Sequence, residues 1–387
     1  MADAASAPHP SLLTWLAHAT FAVYAATVTA AGPTLPSIAQ TFKLTLGEAG
    51  TVFATGGIGF ALVVFLAGYA ADALGKRGVL VAGLVTISLG TLGLGLAPSF
   101  ELLLVAAFVE NVGSGLLESA VGSLVVDLNP HRRPAALNLL HSFFGWGALV
   151  GPLFAGGVLL VAGWRWVYLG LSLAFVVLTL AVLGRRFPPP SGEEPVRWGE
   201  VRALLKSPLI QLATLGILLY VASELSVSAW SFPYLETVRG YPTMVASLGL
   251  SLFWAAIAVG RWGSTWVSTH LRPTLLVRAS AVLFAVGTAS LLLSPTPYLA
   301  LAAMAVAGLG AAAIYPTIMA VACGRFPRLS GTVTGLITTA TALGFLFGPT
   351  TVGRLGDALG LQRALLAVVA GMLVLAAIYQ RRDSQGG

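Results

Sequence analysis

The chain has 387 residues, 57% hydrophobic and only 9% charged, with a formal net charge of +7 and a mean hydropathy of +0.89. A water-soluble globule carries about a quarter charged residues, so a soluble enzyme, a nucleic-acid-binding protein and a disordered chain are excluded. The basic residues sit in short clusters between apolar runs, the pattern of a membrane protein with charged loops.

A spanning helix needs about 20 mainly apolar residues. In chain order the apolar runs predict spans at 12–31, 48–71, 78–97, 102–126, 136–161 and 166–184, then 208–232, 243–267, 274–293, 297–322, 331–352 and 363–380. The runs are continuous rather than alternating, which argues against a β-barrel. No basic residue precedes the first run, MADAASAPHPSLL, so it reads as a retained span and not as a cleaved signal peptide. With the N-terminus inside, the inner loops hold fourteen Lys and Arg, and the outer loops only Lys43, Arg165, Arg239 and Arg363. The positive-inside rule then predicts both termini in the cytoplasm.

The longest polar break, 185–207, carries three consecutive prolines. It is expected to be a cytoplasmic linker between a six-helix bundle at 1–184 and a second at 208–387, with an interfacial helix over Trp198 to Leu205. The two bundles repeat each other. Gly147, Gly151, Pro152 and Gly156 form G-x-x-x-G-P-x-x-x-G in the fifth span, and Gly344, Gly348, Pro349 and Gly353 form it 197 residues later in the eleventh. The expected fold is therefore an all-α membrane protein of twelve transmembrane helices in two pseudo-symmetric bundles. Such a repeat points to a secondary transporter with its site near the midplane between the halves.

The residues between spans two and three, Gly68-Tyr-Ala-Ala-Asp72-Ala-Leu-Gly75-Lys76-Arg77, match G-x-x-x-D-x-x-G-R/K-R/K, and Gly353 to Gly360 (GRLGDALG) is a degenerate copy after the eleventh span. On these motifs the chain resembles the major facilitator superfamily along nearly its whole length. Shorter strings are similar to the fucose–galactose–glucose cation symporter group: Leu117-Glu118-Ser119-Ala120, Leu137-Asn138-Leu139 with His141 to Gly147, then Tyr220, Glu224, Trp230 and Tyr234, and Phe253-Trp254 with Gly260-Arg261. The resemblance implies cation-coupled sugar transport. Two departures stand out. Fucose-type members carry a carboxylate in the first span, where this chain has His18, Tyr24, Thr27 and Thr29. The fourth-span arginine of many drug–proton antiporters is replaced by Val109.

An ionisable side chain at the bilayer centre costs about 2.5–3.5 kcal/mol on insertion scales, so intramembrane acids are functional by default. Glu118 and Glu224 are the candidates for binding a cation or substrate hydroxyls. His141 lies at a depth similar to Glu118, where it can shuttle protons, bind a hydroxyl or lock two helices. Asn138, one turn away on the same face, is a ligand or an interfacial cap. Trp230 and Tyr234 suit the apolar face of a sugar or the interfacial aromatic belt. Tyr315 is the repeat counterpart of Glu118. Tyr24 and Trp254 complete the expected binding set. Glu110, about 80° around the helix from Glu118, pairs with Arg261 or faces the outer vestibule. Gly68, Asp72, Gly75, Lys76 and Arg77 are expected to gate, with Asp72 bonding helix N-terminal amides or an inner-loop arginine to hold the cytoplasmic side closed.

Other chemistry is not indicated. There is no P-loop string, so ATP-driven transport is not expected, and the single cysteine and the histidine spacing support no zinc site. No nucleophile–base constellation points to an enzyme, and no catalytic residue, metal or cofactor is expected. The sequence predicts uptake of a monosaccharide with a proton or sodium ion by alternating access in the cell inner membrane, by a monomer whose partners are substrate, ion and lipid bilayer. Proton-coupled efflux of a drug or small metabolite is the alternative.

Overall fold

The computed structural model describes residues 12–129, 133–185, 187, 198–326 and 329–383, with side chains throughout except at 64–74, 133–135, 198–199, 330–331 and 381–383. Among these residues twelve helical stretches are long and apolar enough to cross a membrane. In a bilayer the backbone must satisfy its own hydrogen bonds, which makes each apolar run a helix.

The first half comprises α1 (Leu12–Phe42), α2 (Leu46–Leu74), α3 (Lys76–Leu96), α4 (Phe100–Leu128), α5 (Arg133–Val161) and α6 (Trp164–Leu183). A short helix α7 (Trp198–Leu205) follows, where the sequence predicts one. The second half comprises α8 (Pro208–Pro233), which runs into a π turn at Tyr234–Val238, then α9 (Thr243–Val267), α10 (Pro273–Leu293) and α11 (Pro297–Ala312). It ends with α12 (Ile314–Arg325), α13 (Ser330–Leu359), α14 (Leu361–Ala364) and α15 (Leu366–Asp383). The predicted tenth span is thus broken near Ala313, just before Tyr315 and Pro316. α1 runs eleven residues past its predicted end, with Pro33 and Pro36 inside the helix.

Local chemistry fixes the helix starts. Thr45 and Glu48 form a reciprocal capping box at the start of α2. Ser99 and Thr296 cap α4 and α11, and Pro208, Pro273 and Pro297 stand where a missing N–H costs nothing.

The repeat is physical as well as textual. In the first half α1 packs on α5, α3 on α4 and α6, and α2 on α4; in the second, α8 packs on α13, α10 on α11 and α15, and α9 on α11. Glycines bring these helices to backbone contact. A methyl group at Gly147 would lie 1.9 Å from the Ala22 carbonyl oxygen, and one at Gly348 would lie 2.4 Å from that of Ala222. Gly90 faces the Glu110 backbone and Gly287, its counterpart, faces that of Ala307. Between the halves α2 packs on α13 and α5 on α9.

The halves meet most closely at the end of the bundle away from the chain termini, here the far end. Asp357, at the close of α13, accepts from the N–H groups of Leu46 (2.7 Å) and Gly47 (2.9 Å). Its carboxylate therefore caps the positive N-terminus of α2 from the other half. Thr350 Oγ1 donates to the Gly50 carbonyl (3.1 Å) one layer deeper, and Phe60 stacks on Phe345 with centroids 5.6 Å apart. Asp357-Ala-Leu-Gly360 repeats the string Asp72-Ala-Leu-Gly75. Gly75 (φ 78°) and Gly360 (φ 80°) make the same left-handed corner, which a side chain would resist.

Two predictions follow from this packing. Gly147→Ala should destabilise the purified protein by about 1–3 kcal/mol, the usual cost of overpacking, and lower Tm. Gly157→Ala, where the added methyl meets open space, should leave Tm unchanged; equal melting of the two variants would contradict the contact assigned to Gly147. Asp357→Ala removes a cap of about 1 kcal/mol, roughly a five-fold shift in the closure equilibrium. A cysteine at buried Ser228 in a Cys323→Ser background should then react about five-fold faster with a membrane-impermeant thiol reagent applied at the far end; an unchanged rate contradicts the latch.

Candidate functional site between the halves

The candidate residues divide by where their helices carry them. α4 enters at the far end, so Glu118 lies about 27 Å along it; α5 starts at the opposite end, and His141 lies about 12 Å in. The two reach comparable depth, as the sequence predicts. Glu118 is half-buried and takes no hydrogen bond among the described residues. Its charge acts on Tyr24 of its own half and on Tyr315 of the other. Tyr24 is buried against Phe21 and Phe144, while Tyr315 is half-buried and adjoins Thr338 and Thr341.

His141 is exposed although its ring packs edge-on against Phe21, 5.6 Å between centroids. Arg261 of the second half lies within reach of its charge. Asn138 is exposed one turn nearer the termini. Glu118, His141, Tyr315 and Arg261 thus approach one another from both halves.

Glu224 is compensated differently. It is buried, Tyr220 one turn earlier donates its hydroxyl to Oε1, and Arg261 acts on both side chains. The tyrosine bond offsets part of the cost of burying the acid, whereas Arg261 makes no salt bridge to it among the described residues and keeps a buried Nε without a hydrogen bond. The Tyr220–Glu224 bond follows from i,i+4 spacing and could have been read in the sequence; the arginine arrives from α9 and could not.

Trp254 is buried, and its Nε1 donates to Ser228 Oγ (3.3 Å). Its ring meets Phe144 of the first half at 6.1 Å. Trp230 and Tyr234 both bond within the second half. Trp230 Nε1 donates to the Pro349 carbonyl (2.8 Å) and Tyr234 Oη to that of Leu292 (3.1 Å), and both residues are fully buried. The Trp230 ring also reaches Gly50 of α2 across the seam between the halves. Neither ring has the exposure of an interfacial belt.

Of the expected gating group, the side chains of Gly68 and Asp72 lie outside the described residues. Lys76 pairs with Asp127 and also donates to the Ser123 carbonyl (3.3 Å) of α4. Arg77 donates to the Leu183 carbonyl (2.7 Å) at the end of α6. Both basic residues tie helices of their own half together. At the opposite end of the bundle Asp357, in the matching Asp-Ala-Leu-Gly string, makes a bond to helix N-terminal amides of the kind expected of Asp72.

Glu110 does not meet Arg261. Ser114 Oγ donates to its Oε1 (3.1 Å) and Asn111 Nδ2 to its Oε2 (2.6 Å), and it faces a cavity toward the far end.

The family model described as Major Facilitator Superfamily matches residues 17–349 and 272–384. Protein TsgA homolog of Erwinia tasmaniensis is 26% identical over 389 residues, 97% of each chain. Protein TsgA of Escherichia coli is 26% identical over 92% of this chain and 90% of its own. Among solved structures, a bacterial homolog of the human lysosomal transporter Spinster, inward-facing and occupied, superposes with a TM-score of 0.86 at 18% identity over 98% of both chains. The D-xylose–proton symporter gives 0.80 at 15% identity over 95% of this chain and 96% of that one. The E. coli fucose:proton symporter gives 0.65 at 18% over 95% and 98%. The likenesses to these structures extend to the fold. On the match of the family model across most of its length, the chain belongs to the Major Facilitator Superfamily.

Proposed function

We propose that the protein takes up a monosaccharide together with a cation by alternating access, cargo and ion meeting in the hollow between its halves. The observation that carries this reading is Glu118: an acid deep in an apolar helix, half-buried and without a hydrogen bond from the described residues, with Tyr24 and Tyr315 of the two halves within reach of its charge. Leaving an intramembrane carboxyl group unpaired costs several kcal/mol unless something that comes and goes compensates it. Tyr24 on one side and Tyr315 on the other supply the amphipathic rings that suit a pyranose.

His141 and Asn138 line the entrance for cargo hydroxyls. Glu118 is the coupling residue, with Glu224 held in reserve by Tyr220 and Arg261. Coupling requires that cation and cargo bind one state better together than apart. Two of the structural neighbours are named as sugar–proton symporters, which supports the substrate class and favours the proton as the ion. The fourteen-to-four distribution of basic residues supports cytoplasmic termini in a plasma-membrane transporter. Both halves of the site come from one chain, so a monomer suffices. The gating role falls to the Gly75-Lys76-Arg77 corner on that side and to Asp72 beside it.

The reading is tested in proteoliposomes with an imposed proton or sodium gradient and a monosaccharide panel. Glu118→Gln should reduce gradient-driven accumulation at least ten-fold while sugar exchange without a gradient persists. Survival of both at wild-type levels would sink the assignment of Glu118. Accumulation seen only when the ion gradient opposes the cargo would assign export, the drug or metabolite efflux alternative.

A further inference from the structure

The far-end cavity that Glu110 faces is separate from the hollow. It lies between the halves and is lined by Thr27 of α1, Glu110 and Asn111 of α4, Tyr168 of α6, Ser228 of α8 and Phe345 of α13, among others. Its volume is ≈ 70 Å³. A water needs about 10–15 Å³ of such space, so the cavity has room for a few waters and none for a monosaccharide. No basic residue and no second acid lines it, so Glu110 has no counter-ion there.

Packing does not explain the acid. Gly90 meets the Glu110 backbone as Gly287 meets that of Ala307 at the equivalent crossing. Alanine occupies the equivalent position in the other half, so the crossing itself does not call for a carboxyl group. Among the described residues the titratable group lining the cavity with it is Tyr168, whose hydroxyl shares a hydrogen bond with Thr34 (2.8 Å). Tyr24 lies outside that lining but is buried within reach of the charges of Glu118 and, more weakly, Glu110. The two acids stand eight residues apart on one helix.

We propose that the Glu110 cavity is a second proton-binding station, loaded from the far side when the Asp357 latch opens and passing its proton past Tyr24 toward Glu118. The step is a transfer only: a hydrated proton from the outer solution protonates the Glu110 carboxylate, and the same proton leaves it for water or for Glu118, with no bond made or broken elsewhere. The coupling role of this station rests on the symport reading above; its proton binding does not.

Glu110→Gln is the test, because the amide oxygen can still accept from Asn111 Nδ2 and its NH2 can donate to Ser114 Oγ, but the amide cannot carry a titrating proton. Infrared difference titration of the purified full-length protein should show a protonated-carboxyl signal that is absent in Glu110→Gln and insensitive to added sodium chloride. In proteoliposomes the variant should lose at least ten-fold in gradient-driven uptake, with counterflow at equal pH within two-fold of wild type. Persistence of the carboxyl signal in the variant overturns the proposal, as does its displacement by sodium. A parallel fall of counterflow and driven uptake, or no fall in either, also overturns it. If the wild type shows the Glu110 signal but no cation-driven sugar uptake, the symport reading fails while the proton site stands.

Discussion

Two helix crossings, α1 on α5 and α8 on α13, set the distance at which everything else in the protein is arranged. Lipid is as apolar as leucine, so membrane helices gain little by hiding side chains from it and associate through close packing instead. Gly147 and Gly151 let α5 settle onto the carbonyl oxygens of Ala22 and Ala26, and Gly344 and Gly348 seat α13 on Val221 and Ala222. Each crossing fixes one half as a unit. α5 then lies on α9 and α13 on α2, so the helices that hold each half together are also the ones that face the other. Moving the halves alters the two outward faces of these helices while leaving the glycine seams intact.

The three intramembrane acids show how differently a carboxyl group can be kept in apolar surroundings. Glu224 has a tyrosine donor one turn away and an arginine within reach of its charge. Glu110 has two donors from its own helix and a small cavity. Glu118 has no hydrogen bond from the described residues. Insertion scales assign these residues similar costs; their surroundings differ in how much of that cost is offset.

Much of the fold was legible because run length alone decides it. The twelve spans, the short helix over Trp198–Leu205 and the repeat at a spacing of 197 residues all follow from local composition, and the last recurs in space as paired crossings at Gly90 and Gly287. The departures have local causes too: Pro33 and Pro36 stay within α1, and the tenth span breaks beside Pro316. Less of the site was legible. Trp230 and Tyr234 have the residue types of a sugar shelf, but their donors are claimed by Pro349 and Leu292, 119 and 58 residues away. The meeting of Arg261 with Glu224, and of Asp357 with the start of α2, likewise joins segments whose proximity no local pattern encodes. The spacing of Tyr220 and Glu224 was within reach of a periodicity argument, since it lies within a single turn.

The Asp357 contact has an evolutionary corollary. Its two acceptor bonds go to main-chain amides, which every residue type except proline supplies, but the Leu46 side chain also packs against Gly356 of α13, so that position carries a second constraint. A methyl group at position 47 would sit 2.6 Å from the carboxylate and push it off the helix end. The far-end seal therefore depends on one acid and one missing side chain, and a lineage could retune how readily the transporter opens by a single nucleotide change at either codon.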